Sequence, residues 1–125
     1  MYRLDRVNLT QKGKLYNDAN DQFIREPFYA GFKAGNFDFI LITVHILYGH
    51  SENARIPEIT ALTEVYKTIE KANPNEKDII VLGDFNLAPD NPAWQPLKNL
   101  PTMKAVFNPP LKTTITDTSL YDNFW

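Results

Sequence analysis

The sequence contains no cysteine, which excludes a disulfide framework and thiolate-ligated zinc and leaves the redox compartment open. It also lacks a long apolar run. The longest, residues 37–44, contains Asp38 and falls far short of the roughly 20 residues that a membrane-spanning helix requires. A basic surplus is absent too: 13 Lys and Arg stand against 15 Asp and Glu, a formal charge of −2. No global positive field therefore draws nucleic acid to the surface, and any phosphate binding has to be local. Met1-Tyr2-Arg3-Leu4-Asp5-Arg6 carries charge where a signal peptide needs an apolar core, so no export signal is expected in this chain and its compartment stays unassigned.

What is present is a chain of 125 residues with 43% apolar composition, enough for one domain with a real core and too little for two. Tyr2, Leu4 and Arg6 alternate with Arg3, Asp5 and Val7, which predicts a short strand near an edge. Residues 10–21 are rich in Gly, Asn and Asp and are expected to form a loop. Residues 28–33 and 37–44 are aromatic and β-branched runs separated by Ala34-Gly35-Asn36, a hairpin signature because Gly-Asn tolerates positive φ. The second run is apolar almost throughout after Asp38, as in a strand covered on both faces.

Between residues 54 and 72, Ile59, Leu62, Val65, Tyr66, Ile69 and Ala72 recur at helical spacing, with Glu58, Glu64, Lys67 and Glu70 as the polar positions between them. The pattern predicts a helix with one buried stripe, capped by Ser51 or Asn53, tolerating Pro57 in its first turn and stopped at Asn73-Pro74. Residues 78–83 then read as a short buried strand. Strand, helix, strand in that order implies a crossover and parallel pairing. The prolines from Pro89 to Pro110 make the following stretch irregular, with one helical turn around residues 94–97.

Gly83-Asp84-Phe85-Asn86 stands at the C-terminal end of the buried strand, where ligands bind in sheets of this kind. Asp84 there is suited to holding a metal-bound water or orienting an imidazole, and Asn86 to donating to a phosphoryl oxygen without adding negative charge. The plainer alternative is an Asx turn in which both side chains bond nearby backbone. His45 ends the preceding core strand and is a candidate to share that sheet edge. Histidine can protonate a leaving oxygen near neutral pH, although an ordinary hydrogen-bonded residue is the alternative. His50, in the loop that follows, is expected to be solvated. Arg25, in Arg25-Glu26-Pro27, suits a bidentate phosphate contact or a surface ion pair. Thr113-Thr114 offers hydroxyls for phosphate or for an exposed strand. In Tyr121-Asp122-Asn123-Phe124-Trp125 the alternation makes Tyr121 and Phe124 or Trp125 core and turns Asp122 toward a site, unless Asp122 is only a charged turn residue.

In this order along the chain the pieces resemble deoxyribonuclease I and its relatives in the endonuclease/exonuclease/phosphatase superfamily. Arg25-Glu26-Pro27 resembles the family's strand-initial arginine motif, Thr43-Val44-His45 its catalytic histidine strand, and Glu58-Ile59 with Leu62 and Val65-Tyr66 the helix after it. Gly83-Asp84-Phe85-Asn86 resembles its most specific short motif, and Thr113-Thr114 with Tyr121-Asp122 its late threonine pair and acidic strand. The resemblance spans residues 25–122.

The resemblance implies an α/β fold, part of a four-layered α/β/β/α sandwich with a mixed sheet and at least one long helix. It implies a metal-dependent phosphodiester hydrolase, an endonuclease or exonuclease acting on DNA, with Mg or Mn bound at Asp84 and Asn86. His45 would be the acid assisting the leaving group, and Asp84 would position the water or its partner histidine. Asn86, Arg25 and Thr113 would hold the phosphate, and Asp122 would orient a catalytic group or contact phosphate. Nucleic acid or another phosphodiester is the implied partner. The family also carries an early Asn and a metal-binding Glu ahead of the arginine motif and a late Ser-Asp-His motif, neither of which this sequence contains. The family domain is about twice this length, the size at which two packed sheets close a core. Residues 1–125 are accordingly expected to be a single incomplete domain lacking its N-terminal strands and its Ser-Asp-His segment. Two alternatives stay open: a phosphatase of the same superfamily, and an inactive half-domain serving as an interaction module or homodimer through exposed sheet edges. A calcineurin-like metallophosphatase would need an upstream Asp-x-His and a downstream Gly-Asn-His, and this sequence has neither.

Overall fold

The computed structural model describes residues 3–125. Five strands form one mixed sheet in the order β1 (Asn8–Leu15), β2 (Phe28–Ala34), β3 (Phe37–His45), β4 (Ile79–Asp84) and β5 (Asp122–Phe124). The first three are antiparallel neighbours, β3 and β4 are parallel, and β5 runs antiparallel to β4. The chain crosses from β3 to β4 through α1 (Ile56–Ala72), and a short α2 (Gln95–Lys98) follows β4. The β2–β3 hairpin turns at Gly35-Asn36, with Gly35 at φ +62, the left-handed conformation that a tight hairpin demands and glycine adopts without strain.

The core follows from the meeting of two periodicities. Every second residue of β3, namely Ile40, Ile42 and Val44, is buried on one sheet face. The helical stripe Ile59, Leu62, Val65, Tyr66 and Ile69 is buried in the same cluster, joined by Val81, Phe85, Trp94 and Leu97. Ile42 has no exposed surface, and emptying such a position by substitution to Ala costs about 2–5 kcal/mol. The other face of the sheet is uncovered among the described residues. Register neighbours there include Leu9 with Phe32 and Phe39, Leu15 with Phe28, and Leu82 with Phe124, and Leu9, Leu15, Phe28, Phe37 and Phe124 are exposed.

Four expectations need correction. Leu4 to Arg6 form a turn, closed by Arg6 and Val7 amides donating to the Arg3 carbonyl at 3.0 and 2.8 Å; Tyr2 lies outside the described residues. The first strand is instead β1, in the stretch expected to be a loop. It is an exposed edge strand with irregular register at Leu9/Gln11 and Gln11/Lys14, and bulges erase the period-two pattern that a sequence would show. Ser51 and Asn53 do not cap α1: a short 3-10 turn, Glu52–Ala54, comes first and Arg55 occupies the cap position without a side-chain capping bond to the helix. Glu58, placed among the polar positions of α1, is buried with 3% of its surface exposed.

Candidate active site

The register of three strands sets the site. His45 of β3 is the parallel partner of Asp84 in β4, and Asp84 is the antiparallel partner of Asp122 in β5. Directly paired residues point to the same face, so His45, Asp84 and Asp122 stand in a row at one end of the uncovered face. His45 Nε2 lies 3.9 Å from Asp84 Oδ2, with the two side chains 58% and 38% exposed. That separation is electrostatic contact, too long for a hydrogen bond, and at this exposure it contributes little stability. Its value is positional: an imidazole and a carboxylate face each other in solvent reach.

The loop after β4 fixes the carboxylate. Asp84 Oδ1 accepts the Asn86 amide at 2.9 Å, which is the Asx-turn contact, and leaves Oδ2 on the His45 side. Asn86 is buried, sits at φ +51, a conformation asparagine tolerates, and donates its side-chain Nδ2 to the Ile46 carbonyl at 2.7 Å. This bond orients the carboxamide and takes one of its two N–H groups. Arg25, on the segment entering β2, donates Nη1 to the His45 carbonyl at 3.3 Å, so its guanidinium also sits at this end of the sheet. His50 is exposed.

Thr113 and the loop after it build the opposite wall. Thr113 Oγ1 accepts the Tyr121 and Asp122 amides at 2.9 and 3.0 Å, which anchors the start of β5 and leaves the hydroxyl proton available to donate. Thr114 Oγ1 similarly accepts the Thr118 and Ser119 amides at 3.2 and 3.0 Å; the pair therefore folds a loop rather than an exposed strand. Tyr48, Asp84, Asn86, Thr113, Tyr121 and Asp122 line a cleft of about 550 Å³, and His45 stands at its margin beside Asp84. A second cleft of about 520 Å³ lies at the other end of β4, lined by Phe37, Ile79, Met103, Phe124 and Trp125 among others. It is mainly apolar, with Lys77, Asp78 and Lys104 as its charged residues.

Three residues that support this geometry escaped the sequence. Glu58 Oε1 accepts the Ile24 amide at 3.0 Å and Oε2 accepts the Leu47 amide at 2.9 Å, tying the segments that carry Arg25 and follow His45 to α1. Arg55 is buried beneath the cleft, and Tyr48 forms part of its wall. The sequence signals were Glu58, at helical spacing with the buried Leu62 and Val65, and Arg55, a cation at a helix N-terminus, where the macrodipole disfavours positive charge. Asp84, Asn86 and Asp122 offer oxygen donors, the set that a hard divalent cation takes. Among the described residues no group of three or more His, Cys, Asp or Glu side chains converges to hold an ion.

Over 121 residues the chain is 36% identical to a protein named Deoxyribonuclease from Thioalkalivibrio sp. (strain K90mix), a match covering 88% of this chain and 32% of that protein. It is 35% identical over 89 residues to Deoxyribonuclease-1-like 1 of Cricetulus griseus, covering 69% of this chain and 27% of that one. The chain belongs to the endonuclease/exonuclease/phosphatase superfamily. No protein-family model matches it. Its fold is similar to part of the human Nocturnin catalytic domain, a structure with a bound sulfate anion, at a TM-score of 0.64 and 13% identity over 98% of this chain and 48% of the other. The mixed five-stranded sheet with its helices is thus the α/β fold of the superfamily. The chain spans 32% and 27% of the length of these two curated relatives. No helix among the described residues is long and apolar enough to cross a membrane.

Proposed function

We propose that this segment carries the acid–base face of a metal-dependent phosphodiesterase acting on DNA, and that the observation carrying the proposal is the His45–Asp84–Asp122 row on the uncovered end of the sheet. In this reading His45 delivers a proton to the leaving oxygen, and Asp84, held through Oδ1 by the Asn86 amide, orients the imidazole or the attacking water with Oδ2. The Arg25 guanidinium, the free N–H of the Asn86 carboxamide and the Thr113 hydroxyl donate to non-bridging phosphate oxygens as charge builds on them. Asp122 orients the groups on the cleft floor. Magnesium is commonly held by one or two carboxylates with waters and substrate phosphates completing its shell, a role Asp84, Asn86 and Asp122 suit. When bound, Mg or Mn supplies Lewis-acid stabilisation of the phosphoryl oxygens.

DNA is favoured over other phosphate esters by the names of the two curated relatives. The whole protein, supplied with Mg or Mn, should nick supercoiled plasmid and leave p-nitrophenyl phosphate, a monoester, largely intact. Preferential hydrolysis of the monoester would favour a phosphatase of the same superfamily instead.

The uncovered apolar face supports a companion proposal about the domain. Residues 3–125 form one sheet and its helices, and the exposed Leu9, Phe28 and Phe124 support a second sheet layer packing there, which would make this an incomplete four-layered sandwich. The site row lies on that same face, so the covering layer would also wall the cleft. The same exposure is the observation behind the alternative of an interaction module that closes the face with a second copy.

A further inference from the structure

We propose that Arg55 is the positioning residue of this site, a buried cation that locks together the three segments flanking His45, Asp84 and Asp122. For its activity arm the proposal rests on the phosphodiesterase reading; its structural arm does not. Arg55 precedes α1 and is only 4% exposed. A buried charge is normally paired with an opposite one, yet among the described residues no ion pair involves Arg55. Its partners are neutral and lie on three different segments. Nε donates to the Tyr48 carbonyl at 2.7 Å, and Nη1 donates to the Asn86 carbonyl and to the Tyr121 hydroxyl, the latter at 3.3 Å. The guanidinium carbon lies 4.4 Å from the Tyr48 ring centroid and 5.4 Å from that of Tyr121, and the two rings meet edge-on at 6.5 Å.

The placement of those partners gives the arrangement its meaning. Tyr48 lies on the chain leaving β3 after His45, Asn86 on the chain leaving β4 after Asp84, and Tyr121 immediately before Asp122. One side chain thus touches the backbone or ring beside each member of the row. By holding the Asn86 carbonyl it also holds Asn86 at φ +51, which keeps the Asn86 amide on Asp84 Oδ1 and Oδ2 directed at His45. Filling space under a cleft would require only an apolar side chain, and a cation at a helix N-terminus opposes the macrodipole. The planar fork explains the choice. A guanidinium can donate in several in-plane directions while its faces stack on aromatic rings, whereas an ammonium is a single point donor.

The test compares Arg55→Lys and Arg55→Gln with the wild type in the whole protein, using bis(p-nitrophenyl) phosphate hydrolysis with Mn²⁺ and residue-resolved amide exchange. Misplacing a catalytic group by about 1 Å costs on the order of a hundredfold, so kcat should fall by about ten- to a hundredfold. KM should stay within about twofold, because the substrate donors remain. Lys should not rescue. The Ile46 and Phe85 amides, which bond across the strand exits to the Asp84 and Tyr121 carbonyls, should lose protection while Val81, deep in β4, keeps it. An Arg55→Lys protein with wild-type kcat and wild-type exchange at Ile46 and Phe85 would overturn the proposal. So would loss of protection that includes Val81 equally, since that is general fold support. If the wild type hydrolyses nothing, the phosphodiesterase reading fails and the exchange arm alone decides Arg55. If neither Arg55 variant folds, Tyr121→Phe removes only the hydroxyl acceptor and should show the same exchange pattern, with kcat lower by about fivefold; unchanged exchange there would equally count against the proposal.

Discussion

Gly83 passes Val44 so closely that a Cβ built on the glycine would stand 2.0 Å from the Val44 carbonyl oxygen. The next register pair along the same two strands is His45 with Asp84, so the distance between imidazole and carboxylate is set by a position that admits no side chain. Gly83 also sits at φ +147, a conformation L side chains rarely adopt. Gly83→Ala should therefore lose at least about 2 kcal/mol of stability in denaturant titration, from backbone strain and overpacking together. Wild-type stability in this variant would show that β3 and β4 part easily and that the spacing of the row is not fixed by packing.

The 125-residue chain by itself should be catalytically silent with Mg or Mn. Among the described residues no third acidic or imidazole ligand converges on the two carboxylates, which makes a weak cation site, and residues that act as a unit lose nearly all their effect when part of the unit is missing. Weak binding also means little stabilisation, since added metal contributes only RT ln(1 + [L]/Kd). Thermal melts with and without millimolar magnesium, run beside a fluorescent nuclease assay and size-exclusion chromatography, check this. The expected outcome is a negligible melting shift, no turnover, and association through the uncovered sheet face. Robust turnover abolished by Asp84→Asn in the same chain would contradict it.

The parts of the site that sequence reveals are those whose placement is local. His45 and Asp84 each end an apolar run, and a strand, helix, strand order brings such ends side by side; Asn86 follows within the same turn. Arg25 and Thr113 were visible only as residue types suited to phosphate. Asp122 was visible through alternation, but its alignment with Asp84 depends on β5 pairing with β4 across the long irregular stretch between them, and no local pattern encodes that. Glu58 falls at helical spacing with Leu62, Val65 and Ile69, on the buried stripe itself, and only its charge made it read as a polar position. Its burial follows from meeting the Ile24 and Leu47 amides, groups remote in sequence, and a buried carboxylate is stable only where such donors converge. Arg55 escaped for the same reason, since its carbonyl acceptors come from two separate loops. β1 escaped for a different one: an edge strand is held by backbone pairing and its bulges remove the alternation.

The central claim is that His45 and Asp84 act together on a phosphodiester, and the most direct measurement is the rate of plasmid cleavage by the whole protein and by its Asp84→Asn and His45→Ala variants, with metal and substrate saturating and folding checked by thermal melts. Both side chains are partly exposed at a strand end, so both variants should melt close to the wild type. A positioned acid or base contributes about a hundredfold or more, and each variant should lose at least that much in kcat. Cleavage at a near-wild-type rate by either folded variant would contradict the account and leave the row as a structural feature alone.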